Sequence, residues 1–210
     1  MTEAPFWTVF PTHAVKTDWT DHGESHRAVM RLFERELPGA AHERRATGQI
    51  LYRVDHHLDG SSTVLVQSRQ ALETTPPQAR ATTIPRGGWD LAAGTPVLFR
   101  VAVNAVRRRT ERDGTGRRHE TLTTVAPNEV PQWVAARLAT AMTVDEVFEH
   151  ARRTHRHRRH RDRTPPRFVV DTVDGLATVT DADALQQLRL SGVGRGKAYG
   201  AGLLTVRPLG

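Results

Sequence analysis

Apolar and polar positions along the chain alternate in two halves that repeat one theme. Phe6 to Phe10 (FWTVF) is a short β-prone run closed by Pro11. From about Asp21 to Leu37 the period becomes helical, with Val29, Met30, Phe33 and Leu37 on one stripe. Asp21 and Glu24 form a capping pair there, and Pro38-Gly39 ends the helix. Gln49 to His56 alternates, with Ile50, Tyr52 and Val54 facing one way. Asp59-Gly60 signals a hairpin, and Ser62 to Ser68 is the returning strand. Thr74 to Gly88, rich in Pro, Thr and Gly, reads as a linker or loop.

The second half starts with a strong strand pattern, Val97 to Val106, then a polar turn at Asp113-Gly114-Thr115-Gly116 and a returning strand from Glu120 to Val125. Gln132 to Arg153 reads as helix, with Trp133, Leu138, Met142, Val147 and Phe148 among its apolar positions. Phe168 to Val173 and Leu176 to Val179 read as strands around a hairpin signal at Asp174-Gly175. Ala182 to Leu190 reads as a short helix, and Gly202 to Val206 as a last strand. The 210 residues suit two domains of about 100 residues better than one. The expected fold is α+β: two tandem ferredoxin-like domains, residues 1–90 and 91–210. RNA-recognition modules share that topology.

Charge narrows the function. Thirty Lys and Arg against twenty-three Asp and Glu give +7, and the only lysines are Lys16 and Lys197. Arginine offers phosphate a planar fork of donors at any relevant pH. The segment Arg152 to Arg163 (RRTHRHRRHRDR) holds seven Arg, three His and one Asp, so most of the excess is local. A cationic block on a nearly neutral body is the footprint of a polyanion binder. Its His155, His157 and His160 are not expected to bind metal, because the intervening arginines repel a cation. His56 and His57 end a strand and read as surface residues.

Composition also excludes. The absence of cysteine removes disulfides and thiolate zinc sites. No run approaches the roughly 18 uncharged apolar residues of a membrane span. The N-terminus has no basic start before its short apolar stretch and does not read as a signal peptide. A cytoplasmic protein without cofactor, metal or membrane partner is expected.

The most specific stretch is Ser191 to Pro208, SGVGRGKAYGAGLLTVRP. Its five glycines allow positive φ and close approach to a phosphate chain, while Arg195 and Lys197 offset charge. A dinucleotide-binding fingerprint fits poorly, since this run leads into a strand near the C-terminus rather than opening a helix. GVGRGKAYGAGLLTVRP resembles the C-terminal glycine-rich signature of the CasE family of CRISPR-associated repeat-RNA endoribonucleases, a family of two ferredoxin-like domains. DGLATVTDADALQQLRLSGVG, LFRVAVNAVRRR and SHRAVMRLF resemble it too, the last as the helix carrying the catalytic histidine.

The resemblance implies an endoribonuclease that binds the stem-loop of a CRISPR repeat transcript and cuts at its 3′ side. Attack by the 2′-hydroxyl leaves a 2′,3′-cyclic phosphate, without metal. It also implies that the product RNA is retained and that the protein is a subunit of the subtype I-E surveillance complex. A catalytically silent RNA-binding scaffold of that complex is the alternative. The implied catalytic group is His26. The family often carries Tyr three residues earlier, where this chain has Gly23; His22, four residues before His26, is the replacement candidate, and Lys197 the candidate to stabilise the phosphorane. RNA contacts are expected from Arg27 and from the hairpin Arg107, Arg108, Arg109, Arg117 and Arg118. The basic block (Arg152, Arg153, Arg156, Arg158, Arg159), read as a loop, and Gly194, Arg195 and Gly196 complete that set.

Overall fold

A computed structural model of the protein describes residues 4–33, 43–82, 88–112, 114, 118–156 and 167–210. The first domain comprises β1 (Phe6–Pro11), α1 (His22–Arg31), the single turn α2 (Arg44–Thr47), β2 (Leu51–His56), β3 (Ser62–Ser68) and β4 (Arg80–Thr82). Its strands form an antiparallel sheet in the order β2-β3-β1-β4. Strand alternation gives this sheet two apolar faces. Phe10, Ile50, Tyr52, Val64 and Val66 pack on Val29, Leu32 and Phe33 of the α1 region. The opposite face, with Leu51, Leu65, Trp7 and Val9, packs on Leu203 of the second domain.

The second domain runs β5 (Pro96–Val103), β6 (Val106–Arg112), β7 (Arg118–Thr124), α3 (Val130–Leu138), β8 (Met142–Arg156), β9 (Arg167–Val179), α4 (Ala182–Ser191) and β10 (Leu204–Pro208). Its main sheet, β10-β5-β9-β8, repeats the ferredoxin-like order of the first. Strands β6 and β7 form a separate two-stranded hairpin between the domain's first strand and first helix. A core of Val97, Phe99, Val101, Trp133, Leu138, Val173 and Leu185 lies between sheet and helices.

Buried polar groups clasp the domains together. Arg53 of β2 is 4% exposed; it donates to the carbonyl of Arg100 at 3.3 Å and to Thr205 Oγ1 at 3.2 Å, while its Nε donates to Asp55 at 2.8 Å. Arg100 joins Asp55 (3.4 Å) to Asp174 (2.6 Å). Gln67 accepts from Trp7 Nε1 and donates to the carbonyl of Arg189.

Four sequence expectations are corrected. The helix expected over Gln132–Arg153 is α3 followed by the long strand β8, which starts at Met142. Met142 follows Leu138, and Val147 and Phe148 follow Val144, at helical spacing, while irregularities at Val144/Glu146 and Val147/Glu149 break the alternation that would have marked a strand. The hairpin expected at Asp174-Gly175 is the interior of β9. Gly175 sits opposite Phe99, where a Cβ would run into the Phe99 ring and the Glu146 carbonyl, so close approach rather than a turn demands glycine. The loop expected over Thr74–Gly88 contributes β4, an edge strand on β1. The basic block's first residues, Arg152 to Arg156, continue β8 rather than forming a loop; residues 157–166 lie outside the described residues, as do Leu37, Pro38 and Gly39.

Candidate functional site

Helix α1 points its first turn at the glycine-rich loop. Asp21 caps it: one carboxylate oxygen accepts from the backbone N–H of Gly23 (2.8 Å) and Glu24 (2.9 Å). Ser25 Oγ donates to the Asp21 carbonyl at 2.8 Å. His22 and His26, one helical turn apart, therefore share a face. His22 is buried and His26 half-buried.

Across from them the chain makes one tight turn, Lys197–Tyr199, between Gly196 (φ +77°) and Gly200 (φ +79°). Two left-handed residues flanking three others require glycine. At Gly196 there is a second reason, because a Cβ would collide with the ring of Phe168. The turn is fixed by the buried Tyr52 hydroxyl, which donates to the Ala198 carbonyl at 3.3 Å. Burial, then the neighbouring Tyr199, pushes the Tyr52 phenol far above its ordinary value, so it stays a donor.

This geometry builds an aromatic cluster. The Tyr199 ring stands edge-on to His22 at 4.6 Å and to His26 at 6.2 Å. Phe168 lies 5.2 Å from His22 and 5.5 Å from Tyr199. Burial, then the charge of Arg45, holds His26 below the ordinary histidine value; the Ala198 carbonyl pulls the other way, and Arg27 adds a smaller depression. Burial, then Arg45 again, lowers Lys197. Arg45, whose Nη1 donates to the Ile50 carbonyl at 3.2 Å, thus stands close to both. The site can hold a neutral imidazole beside two cations, a proton acceptor next to charge for a phosphate.

A second basic region lies where the β6–β7 hairpin meets α3 and the glycine-rich loop. A groove of about 350 Å³ is lined by Arg108, Leu122, Trp133, Arg137, Gly194 and Arg195. Arg107 pairs with Glu129 at 2.8 Å and Arg108 with Glu120 at 3.1 Å, all exposed. Trp133 Nε1 donates to the Val106 carbonyl, and Arg137 lies 4.9 Å over the Trp133 ring. Arg195 sits in a backbone bridge with Asn104. Arg109 and Arg118 are exposed along the same hairpin, and Arg27 is exposed on α1.

The basic block is split by strand alternation. Arg152 is held within the fold: Nε and Nη2 donate to Asp171 at 2.7 and 3.1 Å, and Nη2 also to the Val125 carbonyl. Arg153 faces the opposite side, toward the interdomain cleft. Arg117, Arg158 and Arg159 lie outside the described residues, as does the side chain of Arg156. Among the described residues no group of three or more His, Asp or Glu could hold a metal ion. Among the described residues no helix is long and apolar enough to cross a membrane.

Of the residues named from sequence, His22, His26 and Lys197 lie where α1 meets the Lys197–Tyr199 turn and Arg195 lines the separate groove, whereas Tyr199, Phe168, Arg45 and Arg137 were not named as site residues. Tyr199 stood in the glycine-rich stretch, unassigned. Arg45 and Arg137 carry no sequence signal in a chain where arginine is common everywhere.

A family model described as CRISPR associated protein matches residues 8–208. No curated protein matches the chain. Among solved structures, Cas6e from Escherichia coli K-12 is similar with a TM-score of 0.71 and 22% identity, over 98% of this chain and 100% of that one. Thermus thermophilus Cse3, bound to an RNA representing a pre-cleavage complex, is similar with a TM-score of 0.70 and 20% identity, over 98% and 100%. A chain of a CRISPR RNA-guided surveillance complex is similar with a TM-score of 0.63 and 25% identity, over 97% and 100%. With a family model spanning almost the whole sequence, the chain belongs to the CRISPR-associated protein family.

Proposed function

We propose that this protein is an endoribonuclease of CRISPR repeat transcripts. It binds the repeat stem-loop, cuts at the 3′ side of the stem without metal, and keeps the product as a subunit of a surveillance complex. The observation that carries this reading is the half-buried His26 on a capped helix start, edge-on to Tyr199 of the Lys197–Tyr199 turn and held below its ordinary pKa by burial and then Arg45. Further support comes from the likeness to an RNA-bound Cse3 and to a surveillance-complex chain.

In this mechanism the 2′-hydroxyl upstream of the cut attacks the adjacent phosphorus, and the bond to the 5′-oxygen breaks. Neutral His26 takes the proton from the 2′-hydroxyl. Lys197 and Arg45 offset the charge that builds on the phosphorane, and the Lys197 ammonium, its pKa lowered by burial, protonates the departing 5′-oxygen. The products are a 2′,3′-cyclic phosphate and a 5′-hydroxyl. His22, stacked among Phe168 and Tyr199, steadies the turn that Gly23 leaves without a helix-borne tyrosine. The groove of Arg108, Arg137 and Arg195 takes phosphates of the stem, with Arg107, Arg109 and Arg118 along the hairpin. Arg152, committed to Asp171, serves the fold.

The test incubates the protein with its CRISPR repeat RNA in EDTA, beside His26→Ala, and analyses product ends. Cyclic-phosphate ends made by the wild type, with a rate about 10²–10⁴ lower in the variant and binding retained, support the reading. Tight binding with no cut by the wild type would leave an RNA-binding scaffold.

A further inference from the structure

The rings of His22 and Tyr199 have a second side. Behind them the edge strand of each sheet, β2 of the first domain and β8 of the second, borders one recess. Its walls include Trp19, Tyr52, His56, Arg153, His155 and Thr172, and its volume is about 30 Å³. That is room for a water or the oxygens of one anionic group, and too little for a base.

The charges around this recess have no evident purpose in the fold alone. Arg153 and His155 are two apart on β8 and so face the same way, opposite Val170 and Phe168 of β9. Arg153 is exposed and makes no ion pair among the described residues, whereas its neighbour Arg152 is tied to Asp171. His56 approaches from the other domain, its Nδ1 at 2.8 Å from Ser62 Oγ. The nearby carboxylates hydrogen-bond other groups: Asp55 accepts from Arg53 and Arg100, and Asp18 from Thr20. Burial, then Arg153, lowers both His56 and His155; Asp55 pulls His56 the other way, and the Trp19 and Thr20 backbone with Asp18 pull His155 the other way. Two domains thus bring three cationic or proton-binding groups to one recess, and among the described residues Arg153 has no ion-pair partner there. Such a concavity attracts an anion.

We infer that Arg153, with His155 and His56, forms a subsite for one backbone phosphate of the RNA strand flanking the cut. His22 and Tyr199 wall both the recess and the proposed catalytic site, so a strand occupying the latter passes the mouth of the former. The inference rests on the reading of the protein as an RNA endoribonuclease.

The test uses full-length protein and repeat RNA made uncleavable by a 2′-deoxy residue at the cut. Single methylphosphonate linkages, which remove one charge each, are walked along the strand on both sides. Wild type is compared with Arg153→Gln, and His155→Gln and His56→Gln serve as further variants. The expected result is about a tenfold weaker affinity for Arg153→Gln, and a similar loss for the wild type at one flanking linkage. That linkage then costs Arg153→Gln nothing more, and both histidine variants couple to it. Unchanged affinity in Arg153→Gln, or losses that simply add at every linkage, would overturn the subsite. Cleavage of ordinary repeat RNA by the wild type, run in parallel, separates the two ideas. If the wild type cleaves and no linkage couples to Arg153, only the subsite fails; if it does not cleave, the endoribonuclease reading fails.

Discussion

Tyr199, carried by the glycine-rich loop of the second domain, meets His22 of the first domain's α1 edge-on at 4.6 Å, and meets His26 of the same helix at 6.2 Å. The helix has Gly23 where the resemblance to the CasE family leads to an expected tyrosine. Here an aromatic ring reaches the histidines from the facing loop instead, so the site is shared between the two domains.

If the ring orients the imidazoles, Tyr199→Phe keeps most of the activity and Tyr199→Ala loses about 10- to 100-fold in single-turnover cleavage, since small misplacements of a catalytic group are costly. The pH profile adds a readout that lost stability would not move. In Tyr199→Ala the acid limb shifts upward, because His26 loses part of its burial. A Tyr199→Phe variant as slow as Tyr199→Ala would instead assign the hydroxyl a part in proton transfer.

In the proposed mechanism His26 is a neutral base, and burial together with Arg45 and Arg27 lowers its pKa against the pull of the Ala198 carbonyl. The acid limb of the rate profile should therefore have its midpoint below the ordinary value of about 6.5. Removing the positive charge in Arg45→Gln should raise that midpoint. A limb that stays in place would exclude His26 as the titrating group.

Stability should follow the same histidines. His26, His56 and His155 are all lowered, burial first in each case. The unfolded chain takes up protons from about pH 6.5 downward and the folded chain only at lower pH. Their contribution is thus intact above that value and is lost as the pH falls through the folded values. Urea midpoints measured from pH 7.5 to 5.5 should decline, and His155→Gln should flatten the decline.

Gly196→Ala should damage both fold and site. The residue is left-handed at φ +77°, and a Cβ would collide with the Phe168 ring that stacks on His22. Strain and overpacking each cost about 1–3 kcal/mol. A drop of that size in unfolding free energy, with cleavage impaired beyond it, is expected. Gly114→Ala, where a Cβ meets nothing within 4 Å, is the control.

The exposed pair of Arg108 with Glu120 is weak, under about 1 kcal/mol, so Arg108 can exchange it for a phosphate. Arg108→Gln and Arg137→Gln should each weaken stem-loop binding several-fold. Each should also reduce the slope of log K against log salt by about 0.9, one duplex phosphate. Unchanged slopes would remove the groove from the RNA interface.

Much of this protein was legible in the sequence because the information was local. The α1 cap at Asp21, the Asp59-Gly60 turn, the alternation of Ile50, Tyr52 and Val54 and the glycine density of Ser191–Pro208 each depend on neighbours within a few residues, and His26 followed from its family motif. Pairing was not local. Met142 to Arg156 reads as the end of a helix until β9 is laid beside it, and Gly175 reads as a turn until Phe99 is opposite. The site's second half is of the same kind. Only the packing of two sheets through Arg53, Gln67 and Leu203 brings Tyr199 to His22 and His26, sets Arg45 beside Lys197, and faces Arg153 with His56. Spacing along a chain determines which side chains share a face. Which two faces meet is decided by burial across the whole fold.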